Sequence, residues 1–390
     1  MPARPFTHDP PAFHPPAADA GIGISVDRLP TPAGVIDAAT VRGNIERLAV
    51  FAAAHGMAVR PHTKTHKSID IARLQLAAGA HGLTVAKVGE AEALLSAFAD
   101  CRPDILVAYP TVDEPRTTRL AALTRSAEVR VALDTPTAVA AVAAAARAAG
   151  VTVGVLVDLD VGMGRTGVPT AVALVALARE VAAAPGLRLD GIFFYPGHIW
   201  ATPAEQARPL ALVTAKLAEA IDAFDRDGLC RDIVSGGSTP TAFQSHLVPQ
   251  VTEIRPGTSV YNDMNTFHGG FCSLADCAAL IHCTVVSDAV ADQVVLDGGT
   301  KTFTSDRCGP APDSGHGYVV EHPEAVITKL SEEHAQVDVS RCSRRPRVGE
   351  RVRVIPNHIC PCINLQDAVW WREPDGRLEP LTIDARGRLS

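Results

Sequence analysis

No apolar run in this sequence approaches the roughly 20 residues a helix needs to cross a bilayer, so no membrane association is expected. An excess of positive charge is also missing. The net charge is −7, which argues against a nucleic-acid surface built from clustered Lys and Arg. Residues 1–20 are rich in Pro and Ala but lack the apolar centre of a signal peptide. They are expected to form a flexible tail, or one docked on a neighbouring subunit. Cysteine is too sparse for a disulfide framework, and the count of 9 is odd, so reduced thiols and a cytoplasmic location are expected.

What is present is a long chain of ordinary globular composition. Its 390 residues, 47% hydrophobic and 20% charged, can bury a large core and accommodate a barrel plus a smaller module. Strand-like and helical stretches alternate from Thr31 to Arg255. Thr31–Asp37 reads as a strand, and Ala38–His55 has helical apolar spacing at Val41, Ile45, Leu48 and Phe51. Val59–Lys64 reads as extended, and Ser68–Ala78 as a helix with Ser68 at its N-cap. The unit recurs through Pro136–Ala149, Val151–Asp160, Thr170–Ala184, Leu189–Tyr195 and Pro203–Asp227, and Val251–Arg255 closes the series.

About eight such units predict a parallel (β/α)8 TIM-like barrel, placed at 37–275. Beyond about residue 276 the long helices stop. Strands at Cys277–Ser287, Gln293–Asp297, Val348–Pro356 and Ala368–Trp371 predict an appended C-terminal β domain over 276–390, joined by one or more strands from 21–36, near Ile22–Val26.

Six segments carry candidate chemistry. In an extended Arg60–Lys67, the side chains of Arg60, His62, Lys64 and His66 share one face. Burial and neighbouring positive charge both ease proton loss from a lysine there, as a Schiff-base lysine requires. A solvated basic loop, with Lys67 as a surface charge, is the competing reading. Asp232–Thr241 runs from a strand into a turn where Gly236, Gly237, Ser238 and Thr239 can form an anion nest for phosphate. Arg255–Ser259 after the next strand, with Gly257 and Thr258, either completes that site or forms a simple turn.

At two further strand ends, Arg165 either faces a cofactor ring or pairs with Asp158 or Asp160, and Tyr195 packs on a cofactor while His198 moves protons. A structural hydrogen bond is the commoner role for a lone histidine. The last segment is Pro356-Asn-His358-Ile-Cys360-Pro-Cys362. As i and i+2 of an extended stretch, His358 and Cys360 can bind one ion, and mixed nitrogen and thiolate donors suit zinc. Two ligands leave the shell open for water and substrate, as in a catalytic site. Cys362 reads as a buried free thiol.

Together these segments, from about Pro30 to Arg386, resemble the fold-type III pyridoxal-phosphate family of D-threonine aldolases and eukaryotic-type D-serine dehydratases. The most specific pieces are Arg60-Pro-His-x-Lys-x-His-Lys67 and Pro356-Asn-His-x-Cys360. The resemblance implies an alanine racemase-like fold, a homodimer, pyridoxal 5'-phosphate on Lys64, and a phosphate pocket at Gly236–Thr239. It also implies a divalent metal at His358 and Cys360, with zinc first and manganese or magnesium as alternatives.

The aldolases of that family carry His-x-Asp at the metal and Tyr-His-Gly after the barrel strand. This chain has His358-x-Cys360 and Tyr195-Pro-Gly-His198, which favours dehydration of a D-β-hydroxy-α-amino acid over retro-aldol cleavage. Cys362 and the Trp370–Trp371 pair lie outside either pattern and leave the substrate side chain open. An amino-acid racemase and a non-catalytic cofactor carrier are the remaining alternatives.

Overall fold

The structure is a computed structural model that describes residues 25–98 and 101–390. The tail expected at 1–20 and most of the strand expected at Ile22–Val26 lie outside the described residues; Val26–Arg28 is a single 3-10 turn.

A first strand, β1 (Ala33–Asp37), leads into helix α1 (Ala38–Ala54). Eight short strands follow: β2 (Ala58–Val59), β3 (Leu83–Val85), β4 (Asp104–Val107), β5 (Glu128–Leu133), β6 (Val153–Leu159), β7 (Leu187–Phe194), β8 (Ile233–Gly236) and β9 (Glu253–Ile254). They form one parallel sheet in the order β2-β9-β8-β7-β6-β5-β4-β3. Its two ends meet where His62 bridges Thr84, with Thr84 N–H donating to Pro61 O at 2.9 Å. The sheet therefore closes, and the barrel expected from the alternation is present. Helices α2 (Ile69–Ala77), α3 (Val88–Leu95), α4 (Glu114–Leu123), α5 (Pro136–Ala149), α6 (Ala171–Ala183) and α7 (Ala207–Asp227) alternate with the strands.

Period-two alternation sorts the strand residues. Ile105 and Val107 belong to the large core shared with the helices, whereas Leu106 joins Ala132, Leu156 and Phe193 in a separate inner cluster. Pro61 and Pro256 have no N–H to donate, so β2 and β9 are only two residues long, although both proline carbonyls still accept hydrogen bonds. Gly191, at φ +150°, sits at an irregularity between β6 and β7. A Cβ there would lie 1.9 Å from the carbonyl oxygen of Ile233.

After the barrel come β10 (Ala279–Ser287), β11 (Gln293–Leu296), β12 (Tyr318–Val319), β13 (Val326–Leu330), β14 (Ala335–Asp338), β15 (Arg351–Ile355), β16 (Ala368–Arg372) and β17 (Leu378–Thr382). With β1 they form a second, nine-stranded sheet. β1 does not open the barrel: it runs antiparallel to β10 and parallel to β16, pairing Val35 with Trp370. From β1 in the β domain the chain thus enters the barrel at α1 and later returns. Trp371 belongs to the core of the β domain, with the Arg42 guanidinium over its ring at 5.5 Å, and Trp370 packs beside Leu29 and Val35. The tryptophan pair is therefore structural.

Candidate active site

Lys64 does not continue a strand. The segment Thr63–His66 is a turn, so the shared face expected for Arg60, His62, Lys64 and His66 does not exist. The barrel pairing runs on through His62, whose N–H donates to Pro256 O at 3.1 Å and which bridges Thr84, and the residues around the turn are anchored separately. Arg60 is fully buried below the turn, its Nε donating to Glu253 at 2.9 Å and its Nη1 to Asp104 at 2.6 Å. The Thr63 hydroxyl donates to Thr84 O at 3.0 Å. His66 accepts from Ser68 N–H at 3.1 Å and contacts Gln75 at 3.2 Å, and burial lowers its pKa to about 4.

Lys67 is buried rather than a surface charge. It has φ +51°, and its Nζ pairs with Glu90 at 3.0 Å. Ser68 occupies the N-cap position of α2 without capping it; Asp384 Oδ2 accepts from Ile69 N–H instead, at 2.8 Å. With its neighbours tied on both sides, the turn places Lys64 and His62 in the wall of a cavity of about 230 Å³. Burial, then the charges of Lys64 and Arg255, hold His62 well below the usual imidazole range, so it is neutral.

Ser238, Thr239, Gly257 and Thr258 line the same cavity. Ser259 N–H donates to Thr239 Oγ1 at 3.3 Å, tying together the loops that follow β8 and β9. Ser238 N–H donates to Thr241 Oγ1 at 3.1 Å. Among the described residues, the N–H groups of Thr239 and Gly257 donate to no protein atom. They are free donors of the kind that bind anions. Gly236 and Gly237 do not line the cavity. A Cβ on Gly236 would strike the Phe194 ring at 1.9 Å, so that glycine serves close packing beneath the loop.

Tyr195 lines the cavity, and the Arg165 guanidinium lies over its ring at 4.7 Å. Arg165 thus stacks on the tyrosine instead of pairing with Asp158 or Asp160. His198 is exposed and is not in the cavity wall. The turn from Pro196 to Ile199 carries it outward, against Gly162. Arg255, the first residue of the segment expected to complete the phosphate site, lines the cavity, donating to Ser235 Oγ at 2.6 Å and to Phe194 O at 2.8 Å over the Phe193 ring. Burial lowers its pKa to about 10.

Part of the wall comes from the β domain. Pro356 and Asn357 carbonyls accept from Met264 and Asn265 N–H groups, both at 3.1 Å, which docks the chain after β15 on the barrel. His358 is extended, but Cys360 lies in the first turn of a short helix, Ile359–Asn364. The alternation expected of an extended segment therefore does not apply. Both side chains nevertheless line the cavity.

Burial opposes the charge on His358, but the neighbouring Cys360 and Asp263, with the hydrogen bond to Asp306, raise its pKa to about 9. Burial likewise opposes the Cys360 thiolate, and His358 outweighs it, holding the thiol below its usual range. Cys360 also contacts Thr65 Oγ1 at 3.1 Å. Cys362 is fully buried, its thiol donating to Thr302 O at 3.0 Å, and burial raises its pKa to about 12. Asp263 accepts from Ile359 N–H at 3.1 Å, fixing the peptide between the two donors, and also from Thr266 N–H at 3.0 Å. Among the described residues, His358 and Cys360 are a pair, with no cluster of three or more potential ligands. Trp200, Asn265 and Thr266 complete the wall. Asp263, Trp200, Asn265 and Thr266 stand in segments with no periodicity or motif to reveal them.

Among the described residues no helix is long and apolar enough to cross a membrane. All nine cysteines are free.

Residues 36–265 match the family described as alanine racemase, N-terminal domain, and residues 278–371 the putative serine dehydratase domain. The chain is 31% identical over 383 residues to D-threonine aldolase of an Arthrobacter species, covering 96% of each. Among solved structures, D-threonine aldolase of Filomicrobium marinum superposes with a TM-score of 0.86 at 28% identity, covering 96% of this chain and 100% of that one. D-threo-3-hydroxyaspartate dehydratase of Delftia species superposes with a TM-score of 0.85 at 29% identity, covering 92% and 98%. Structures of that dehydratase include a His-to-Ala variant and a Cys-to-Ala variant in the metal-free form, altered at positions two apart.

Proposed function

This chain belongs to the alanine racemase-like pyridoxal-phosphate family of D-threonine aldolases and D-serine dehydratases, and we propose that it removes water from a D-β-hydroxy-α-amino acid. The presence of Lys64 and the His358–Cys360 pair in the wall of one cavity carries this reading. The spacing of that pair equals the spacing of the histidine and cysteine altered in the related dehydratase. The α-carbon loses a proton and the β-carbon loses hydroxide. The resulting enamine hydrolyses to a 2-keto acid and ammonia.

The residues present suit the cofactor. The free N–H groups of Thr239 and Gly257, with the Ser238 and Thr258 hydroxyls, would bind its phosphate. Tyr195, stiffened by Arg165, offers a flat face to its ring, and neutral His62 adds no charge beside it. Pyridoxal phosphate bound through Lys64 would supply an electron sink for the bond broken at Cα. Once the substrate amine has taken its place, Lys64 Nζ is the group that removes the α-proton.

The donor pair likewise suits a divalent metal. Mixed imidazole and thiolate donors favour zinc, with manganese or magnesium as alternatives, and the metal would supply Lewis acidity at the β-hydroxyl. Asp263 and Thr65 hold this pair in place.

Likeness to an aldolase over 96% of the chain favours a second reading, cleavage of the Cα–Cβ bond to glycine and an aldehyde. Purified enzyme offered D-serine, D-threonine and D-3-hydroxyaspartate separates the two. Equal yields of keto acid and ammonia are expected. Glycine with aldehyde would establish the aldolase reading instead, and the L-amino acid as sole product would establish a racemase.

A further inference from the structure

Asp306 follows the short helix Thr300–Phe303, 52 residues before His358, yet its Oδ2 accepts from His358 Nδ1 at 2.8 Å. We propose that Asp306 is a positioning residue that fixes the tautomer and orientation of His358 for metal binding. This inference rests on the reading that His358 and Cys360 hold a metal. With its proton on Nδ1 and donated to Asp306, the imidazole leaves the Nε2 lone pair as its coordinating atom.

The segment that presents Asp306 is pinned from both sides. Asn357, buried beside His358, donates to Asp306 O at 3.1 Å and to Gly315 O at 2.8 Å. Asp306 N–H donates to Thr304 Oγ1 at 3.2 Å, and Gly309 N–H donates to Oδ1 of Asn265, a cavity residue, at 2.8 Å. Thr304 itself has φ +70° and ψ 177°, a conformation that side chains other than glycine rarely adopt. Backbone strain is thus held two residues from Asp306, where surrounding contacts dictate the path of the chain.

The pair is separable from folding, because both side chains are about two-fifths exposed and such ion pairs contribute little to stability. The test is a zinc titration of metal-stripped holoenzyme against a chromophoric chelator, for the wild type, Asp306→Ala and Asp306→Asn. The alanine variant is expected to bind zinc about 10- to 100-fold more weakly, the range seen when such outer partners are removed. The asparagine variant should fall between, since its carbonyl still accepts from Nδ1–H. Cofactor absorbance and Tm should not change. Alanine-variant affinity within twofold of wild type would overturn the inference alone, as would a loss matched by a falling Tm. A wild-type protein that binds no zinc, manganese or magnesium would overturn the metal reading and this inference with it.

Discussion

Thr65 and Cys360 share a hydrogen bond of 3.1 Å although 295 positions separate them. Thr65 is the immediate neighbour of Lys64 in the barrel, and Cys360 belongs to the proposed donor pair of the β domain. This contact joins the two parts of the proposed chemistry. Thr65→Val keeps the shape and removes the hydroxyl. Loss of one such hydrogen bond amounts to about 1 kcal/mol, or about fivefold in an equilibrium. Metal affinity is expected to fall by that factor in a chelator competition, with cofactor absorbance unchanged. Equal affinity would mean that the contact does not support the pair.

Lys64→Ala should abolish covalent cofactor attachment. Borohydride treatment followed by peptide mass mapping should label wild-type protein at Lys64 and leave the variant unlabelled. Far-UV circular dichroism should not change, because the turn is anchored by Thr63, His66 and Lys67 rather than by Lys64. A reducible adduct in the variant would refute the assignment.

The two cysteines of the donor segment should behave oppositely. Cys360→Ala removes a donor and is expected to eliminate both high-affinity metal binding and turnover. Cys362→Ala loses a fully buried thiol and its bond to Thr302, costing about 1–2 kcal/mol of stability while metal affinity is retained. Denaturant melts and metal titrations on both variants check this, and loss of metal by the Cys362 variant would contradict it.

Asp158 links stability to pH. Burial raises its pKa from 3.8 to about 7, against the lowering effects of Thr166, Arg255 and Arg165, while Asp134 adds to the rise. Between about pH 4 and 7 the folded state therefore holds a proton that the unfolded chain has released, and stability falls as pH rises through that window. Asp158→Asn should flatten this slope in the cofactor-free protein. Melting temperatures at about pH 5 and pH 8 are the measurement, and parallel wild-type and variant profiles would count against a buried neutral carboxyl.

Much of the barrel was legible because its signals are local. Pro136–Ala149 has the residues and caps of a helix whatever surrounds it, and Val153–Leu159 reads as a buried strand from its own composition. The β domain was read only in part. Strands such as Val326–Leu330 and Ala335–Asp338 are short and half polar, and only their partners make them strands. Asp306 lies in a loop, and Asp263 and Asn265 at the start of the five-residue helix Met264–His268, too short to show a repeat.

Residue type and spacing alone reveal which chemistry is on offer: a lysine among histidines, glycine turns at late strand ends, and a histidine with a cysteine two residues on. Those are properties of residue type and spacing, which folding does not alter. Only the tertiary structure decided which of them meet. The turn over Thr63–His66 takes Lys64 out of the strand that alternation assigned to it, His198 is carried out to the surface, and Asp306 arrives from another loop to hold His358. Contacts between distant residues are set by packing and by satisfying buried polar groups, and neither is written in local periodicity.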